Sequence, residues 1–149
     1  PVWGQGRMAR FSLNAGAQTN IFPHGSSFDK AVFTLDGRVG VLLGGFFEIS
    51  PEAMVVFSYR SLVHLPGGTL LYPGVILNIR GRSFFLGAGA VVPIAFFAGQ
   101  SDSGRLAPKV NLGFQFGHLQ LTAYFIAWHD PNLDFLDMNF AGVTLGLRF

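Results

Sequence analysis

The chain has 149 residues, of which 50% are hydrophobic and 12% charged, with 17 Phe, 20 Gly, no Cys and a formal net charge of +2. The lack of Cys excludes disulfide scaffolds and thiolate metal sites, and no basic run of the kind that binds nucleic acid is present. We expect a single domain, residues 1–149, whose apolar surface is either buried or in contact with lipid.

Four β-strands are predicted in the first half of the chain, because apolar and polar residues alternate there with a period of two. The segments are 7–20, 30–43, 53–64 and 71–80. In each segment the odd-numbered positions carry the large apolar residues and the even-numbered positions carry the polar ones. A membrane-spanning helix is not expected, since charges, Pro and Gly interrupt every stretch that approaches roughly 20 apolar residues.

The second half predicts four more strands, at 84–97, 109–117, 119–128 and 141–149. The same period of two continues, with even-numbered positions apolar at 84–97 and 109–117, and every charged residue in the predicted strands except Arg7 lies on the polar face. A soluble sandwich would instead expose its charged faces to water and bury continuous apolar faces inside. The pattern therefore favours a sheet whose apolar face looks outward.

The connections between the predicted strands alternate in length. Short turns are predicted at 48–52, 81–83 and 117–118, and longer polar loops at 21–29, 65–69, 98–108 and 129–137. An even number of strands with short turns at one end and longer loops at the other is typical of a transmembrane β-barrel. A sheet crosses a bilayer only when it closes on itself, because lipid offers no hydrogen bonds. The predicted fold is an all-β, eight-stranded antiparallel, up-and-down transmembrane barrel.

The last predicted strand ends on Val143, Leu145, Leu147 and Phe149, which alternate with small or polar residues. With this pattern the chain resembles the small outer-membrane β-barrels of Gram-negative bacteria, the group that includes the OmpA transmembrane domain, OmpX and OmpW. The ending is similar to the signal that the barrel-assembly machinery recognises in that group, although Leu147 stands where an aromatic residue is common. The resemblance implies an outer-membrane location with both termini periplasmic, and contact with outer-membrane lipid and lipopolysaccharide.

Several charged residues fall on the inward face of the predicted barrel. We expect Arg38 and Arg60 at similar depth on neighbouring strands, with Asp36 one pleat away and Arg10 and Arg80 adding positive charge. Unpaired charges in a narrow lumen are costly, so the sequence predicts a hydrated, ion-paired network. The favoured interpretation is a packed polar core, and the alternative is a constriction that attracts anions.

Toward the longer loops the inward positions become apolar. They are Leu62, Val91, Tyr124, Ile126, Trp128 and Phe140. An apolar cup with a few polar groups is the usual form of a small-molecule site. Ordinary packing is the simpler interpretation, because small barrels are commonly filled by side chains.

The longer loops supply the residue types of an acyl-transfer site. His24, Ser26 and Asp29 occur in one loop, and His129 and Asp130 in another. These residues are a candidate base and nucleophile for a lipid A modifying acyltransferase or deacylase, although turn chemistry explains them more simply. Their spacing suggests no metal site, and no cofactor is expected.

Three functional hypotheses follow from the sequence. The leading one is a structural or anchoring barrel that forms the membrane subunit of a larger envelope assembly, with other envelope proteins as partners. The second is the lipid A modifying enzyme. The third is a narrow channel or a binding cup for a small apolar or anionic solute.

Overall fold

The structure is a computed structural model, and it describes residues 9–22, 25–26, 32–57, 69–97, 100–128 and 138–149. These residues form one antiparallel sheet. The described part of the chain contains no helix long and apolar enough to cross a membrane.

Eight strands surround the lumen, and two of them are interrupted. The first four are β1 (Ala9–Phe22), β2 (Val32–Leu43), β3 (Phe47–Phe57) and β4 (Thr69–Arg80). The next are β5 (Phe84–Val91, continued by Ile94–Phe97), β6 (Gln100–Ser103, continued by Ala107–Phe116), β7 (Leu119–Trp128) and β8 (Met138–Arg148). A short pair, Gly25–Ser26, folds back on the end of β1.

The sheet closes because β1 pairs with β8 as well as with β2. The closing register runs from Ser12 opposite Arg148 to Ile21 opposite Asn139. Phe149 extends this pairing, since its backbone N–H donates to the Phe11 carbonyl at 2.8 Å. A closed sheet leaves no unpaired edge. The predicted fold, an eight-stranded antiparallel barrel, is confirmed.

Three tight turns lie at one end of the barrel, which we call the short-turn end. They are Gly44–Phe46, 81–83 and Gly117–His118. Gly44, Gly45 and Gly117 have φ values of 64°, 88° and 60°, a region that glycine adopts without steric cost. Two of these turns are where the sequence predicted them.

The prediction of a turn at 48–52 was wrong, because these residues belong to β3. Pro51 suggested a turn, since proline removes a donor from a strand ladder. The described pairs between β2 and β3 run from Phe33–Phe57 to Arg38–Glu52, and then resume at Val41–Ile49. The ladder is therefore interrupted beside Pro51, and the strand accommodates the proline there. Residues 58–68, which include the end of the predicted third strand, lie outside the described residues.

The predicted loop at 98–108 was also largely wrong. The strand segments Ile94–Phe97 and Gln100–Ser103 pair with each other, and the next segment begins at Ala107, so six of the nine described residues at 100–108 lie in strands. The two interruptions at 92–93 and 104–106 lie side by side, and the Gly104 N–H donates to the Pro93 carbonyl at 2.7 Å. The polar residues that suggested a loop thus lie in or beside an extension of β5 and β6.

The two faces of the sheet differ in chemistry. Odd-numbered positions of β2 such as Phe33, Leu35 and Val39 are exposed on the outside, whereas Thr34, Asp36 and Arg38 are buried inside. The same alternation holds on β3 and β7, and on β6 with the even-numbered positions outward. The barrel is therefore apolar outside and largely polar inside, which positions the charged residues in the lumen.

Candidate functional site in the barrel lumen

Four charged side chains form a buried group in the middle of the lumen, which we call the central quartet: Asp36, Arg38, Glu52 and Lys109. Arg38 Nε lies 2.5 Å from Asp36 Oδ2 and 3.1 Å from Glu52 Oε2. Lys109 Nζ forms an ion pair with Glu52 Oε1. Two positive and two negative charges balance each other, which is the condition under which buried ions are tolerated.

Neighbouring side chains hold the central quartet in place. Asn14 Nδ2 donates a 3.3 Å hydrogen bond to Asp36 Oδ2. Lys109 Nζ lies 4.8 Å from the centroid of the Tyr124 ring, a distance at which the ring face attracts a cation. Lys109 and Glu52 come from strands on opposite sides of β4 and β5, so their ion pair bridges the lumen.

A second charged group lies nearer the short-turn end, and we call it the mouth cluster: Arg10, Glu48, Arg80, Gln115 and Arg148. Arg80 Nη2 donates to Glu48 Oε1 at 2.8 Å, and Arg80 Nη1 donates to Gln115 Oε1 at 3.1 Å. Arg148 Nη2 lies 3.5 Å from Glu48 Oε2, and Arg148 Nη1 also donates to Gln115 Oε1. Two guanidinium groups, those of Arg80 and Arg148, therefore share one carboxylate.

Polar neighbours donate several hydrogen bonds to one carboxylate oxygen of Glu48. Its Oε1 atom accepts from Ser50 Oγ at 2.7 Å and from Asn78 Nδ2 at 3.2 Å, in addition to Arg80. Beside it lies a cavity of about 10 Å³. Such a volume holds about one water-sized group. The cavity is lined by Arg10, Ser12, Arg38, Gly40, Glu48, Ser50, Asn78, Arg80, Gln120 and Arg148.

The other half of the lumen is filled by an apolar cluster, whose buried members are Met54, Val56, Tyr72, Val91, Ala107, Tyr124, Ile126 and Phe140. The Tyr72 and Phe140 rings meet edge to face, with centroids 6.4 Å apart. Tyr124 reaches across to donate a 2.8 Å hydrogen bond to Gln18 Oε1. Gly142 makes room for the Tyr124 ring, because a Cβ at Gly142 would lie 2.4 Å from it.

Solved structures with the same architecture match nearly the whole chain. Neisserial surface protein A has a TM-score of 0.65 at 13% identity, and the match covers 94% of this chain and 95% of that chain. Ail, the attachment invasion locus protein of Yersinia pestis, has a TM-score of 0.52 at 18% identity, with coverages of 95% and 97%. The N-terminal β-barrel domain of Pseudomonas aeruginosa OprF has a TM-score of 0.54 at 10% identity, with coverages of 94% and 97%.

The chain has the fold of a small outer-membrane β-barrel. No protein-family model matches the sequence, and comparison with curated proteins finds no match. At such low identities the likeness establishes the fold alone. The chemistry of the chain depends on the side chains in its own lumen.

The structure brings most of the predicted interior charges into the two groups. Asp36 and Arg38 lie in the central quartet, and Arg10 and Arg80 lie in the mouth cluster. Arg60 lies outside the described residues. It was predicted at the depth of Arg38, but the residue paired with Arg38 on the neighbouring strand is Glu52.

Four of the six predicted cup residues are packed together in the apolar cluster: Val91, Tyr124, Ile126 and Phe140. Leu62 lies outside the described residues, and for Trp128 only the backbone is described. The predicted assembly-signal residues Val143, Leu145, Leu147 and Phe149 all point outward, half exposed.

The candidate catalytic residues are not brought together within the described part of the chain. His24, Asp29, His129 and Asp130 lie outside it, and only the backbone of Ser26 is described. Within the described ranges, no group of three or more His, Asp or Glu side chains is arranged to hold a metal ion.

Sequence reasoning missed Glu52 and Arg148, and it did not assign Lys109 to an ion pair. Glu52 was assigned to the predicted turn at 48–52. The even-numbered positions 48, 50, 52 and 54 nevertheless continue the inward phase of β3. Extending that alternation through Pro51 would have found it. Arg148 lay on the polar phase of the last strand, but its partner Glu48 was also assigned to the turn.

Proposed function

We propose that this chain is an integral barrel of a Gram-negative outer membrane with a structural or anchoring role, as the membrane subunit of a larger envelope assembly. The observation that carries this proposal is the filling of the lumen. The central quartet bridges the interior, the apolar cluster packs one half of it, and the cavity in the other half holds about 10 Å³. Eight strands leave an interior just wide enough for such side chains.

The outer surface supports a location in a membrane. Large apolar side chains such as Leu77, Leu86 and Leu145 are more than half exposed on the outward face. Exposed apolar surface of this extent is costly in water and favourable in lipid. Aromatic rings gather toward the short-turn end, as in the girdles that mark a membrane interface. They include Phe46, Phe47, Phe84, Phe116 and Phe149.

The arrangement of the turns supports an orientation. In barrels of this type the short turns face the periplasm, so we place the short-turn end, with residues 9 and 149, on the periplasmic side. The opposite end then faces lipopolysaccharide. Insertion by the barrel-assembly machinery, with Val143, Leu145, Leu147 and Phe149 as its recognition signal, is part of the same proposal.

Site-specific photo-crosslinking in intact cells tests the anchoring role. A crosslinking amino acid at His118, which is exposed in a short turn, should give a discrete adduct with another envelope protein. The matched control is Leu121, which points outward at mid-strand on β7 and should contact lipid alone. The outer-membrane fraction should also yield the same partner on mild detergent extraction. Isolation as a lone monomer with no adduct at His118 would contradict the assembly role.

A further inference from the structure

The mouth cluster carries more positive charge than its carboxylate neutralises. Arg80 and Arg148 pair with Glu48, and Arg10, which lines the same cavity, has no ion pair with any other described residue. The carboxylates of the central quartet do not compensate for this, because they already neutralise Arg38 and Lys109. An excess of about two positive charges therefore remains beside the cavity.

Hydrogen-bond donors beside the cavity are also unused. The Nη2 atoms of Arg38 and Arg148 are buried and make no hydrogen bond to a described residue, although Arg148 Nη2 lies 3.5 Å from Glu48 Oε2. Acceptor atoms of three lining residues, Glu48 Oε2, Asn78 Oδ1 and Gln120 Oε1, likewise make no hydrogen bond. Both side chains are only 5% exposed, and both line the 10 Å³ cavity. A buried donor without an acceptor lowers the stability of the folded state. A water molecule would supply an acceptor without charge, whereas an anion would also offset the excess positive charge.

We propose that this cavity binds a water-sized monovalent anion between Arg10, Arg38 and Arg148. The chemistry is that of a free halide ion entering from the short-turn end. Tetrahedral oxyanions such as sulfate are too large for a volume that holds about one water. The site is independent of the anchoring role, and either proposal can fail without the other.

Unfolding of the full refolded chain at constant ionic strength tests this site. Sodium gluconate, whose anion is too large to enter, is replaced stepwise by chloride, bromide or acetate while the urea midpoint is measured. An anion that binds only the folded barrel raises the midpoint with a saturable dependence on concentration. We expect such a rise with chloride and bromide. A rise with acetate as well would contradict the size limit of the site, because a carboxylate is larger than a cavity that holds about one water.

Two arginine variants separate binding from general screening. Arg10→Gln should remove the anion dependence, because it removes the guanidinium with no ion pair among the described residues and breaks no described contact. Arg82→Gln is the matched control, since Arg82 is exposed in the 81–83 turn and does not line the cavity. This control should keep the full dependence. Equal responses of the two variants, or the same midpoint in gluconate and chloride, would overturn the proposal.

Bromide provides a direct readout that does not depend on stability. Crystals of the full chain grown in sodium bromide should show an anomalous peak in the cavity, within hydrogen-bond distance of a guanidinium nitrogen of Arg10, Arg38 or Arg148. The peak should be absent from Arg10→Gln crystals grown in the same solution. A cavity that contains water without bromide in the unaltered chain would contradict the site.

Discussion

The two halves of the lumen are filled by opposite kinds of side chain. Toward the short-turn end the interior holds the mouth cluster and the central quartet, whose charges are paired across the barrel. Beyond them lies the apolar cluster, whose residues pack as in the core of a soluble protein. The interior of this narrow barrel is thus filled by ion pairs in one region and by packed apolar side chains in the other. Removing one group destabilises the two regions for different reasons. Loss of an ion leaves its partner uncompensated, whereas loss of an apolar group leaves a cavity.

The two charged groups also differ from each other. The central quartet is charge-balanced and sealed, with Asp36 and Lys109 essentially without solvent exposure. The mouth cluster is unbalanced and lines a cavity near the end of the barrel. Small ions should therefore affect the mouth cluster and, within the quartet, only Arg38, which lines the same cavity.

The largest expected effect comes from removing one carboxylate from each charged group. Glu52→Gln should lower the free energy of unfolding by about 3–5 kcal/mol, because Lys109 and Arg38 lose a shared buried partner. Glu48→Gln should cost a similar amount in sodium gluconate, and chloride should restore part of that loss. Urea unfolding in the two salts measures both variants. Equal chloride responses of Glu52→Gln and Glu48→Gln would show that the central quartet and the mouth cluster do not differ in their access to chloride.

A cavity in the apolar cluster should cost somewhat less. Ile126→Ala removes a fully buried side chain and should lower the free energy of unfolding by about 3 kcal/mol. Leu121→Ala, on the outward face of the same strand, is the matched control and should cost less, since it leaves no internal cavity. Urea unfolding in the same detergent measures both. A loss at Leu121 as large as that at Ile126 would argue against a packed interior.

A steric change at the Tyr124 ring should be smaller again. Gly142→Ala would place a Cβ 2.4 Å from the ring, and such overpacking costs about 2 kcal/mol. Gly37→Ala is the control, because nothing lies within 4 Å of a Cβ at Gly37. The urea midpoint should fall for Gly142→Ala and stay near its original value for Gly37→Ala. A fall of the urea midpoint for both variants would indicate an effect of strand propensity and not a clash with the Tyr124 ring.

The smallest effect is expected where the two halves meet. Tyr124→Phe keeps the ring and removes the hydroxyl that donates to Gln18, so the loss should be about 1 kcal/mol. The Tyr124→Phe/Gln18→Leu pair should cost less than the sum of the single changes, because both remove the same hydrogen bond. A double-mutant cycle by urea unfolding measures this. Strict additivity would contradict the hydrogen bond.

The fold could be predicted from the sequence because every strand repeats one signal. A period of two with charges confined to one face specifies which way each side chain points, and a slip of one residue would place Asp36 or Lys109 in lipid. The bounds of β3 could not be predicted in this way. In the sequence Pro51 is typical of a turn, whereas in the structure it lies within a strand beside an interruption of the hydrogen-bond ladder.

The ion pairs were harder to predict than the strands. Lys109 and Glu52 are 57 residues apart and lie on strands that are not neighbours. Alternation places both side chains in the lumen, but only the relative stagger of strands around the closed barrel brings them to the same depth. The excess of arginine over acid at the mouth depends on the same stagger, because it brings Arg148 beside Glu48.

Planar-bilayer recording of the refolded full chain tests the filled lumen most directly. Folding has to be verified first, by heat-modifiable migration of the same preparation on a gel, and insertion by recovery of the folded protein with the lipid. The account predicts folded, inserted protein that gives no discrete conductance steps, because the central quartet and the apolar cluster occupy the interior. Stable, uniform steps carried by the folded barrel would contradict it.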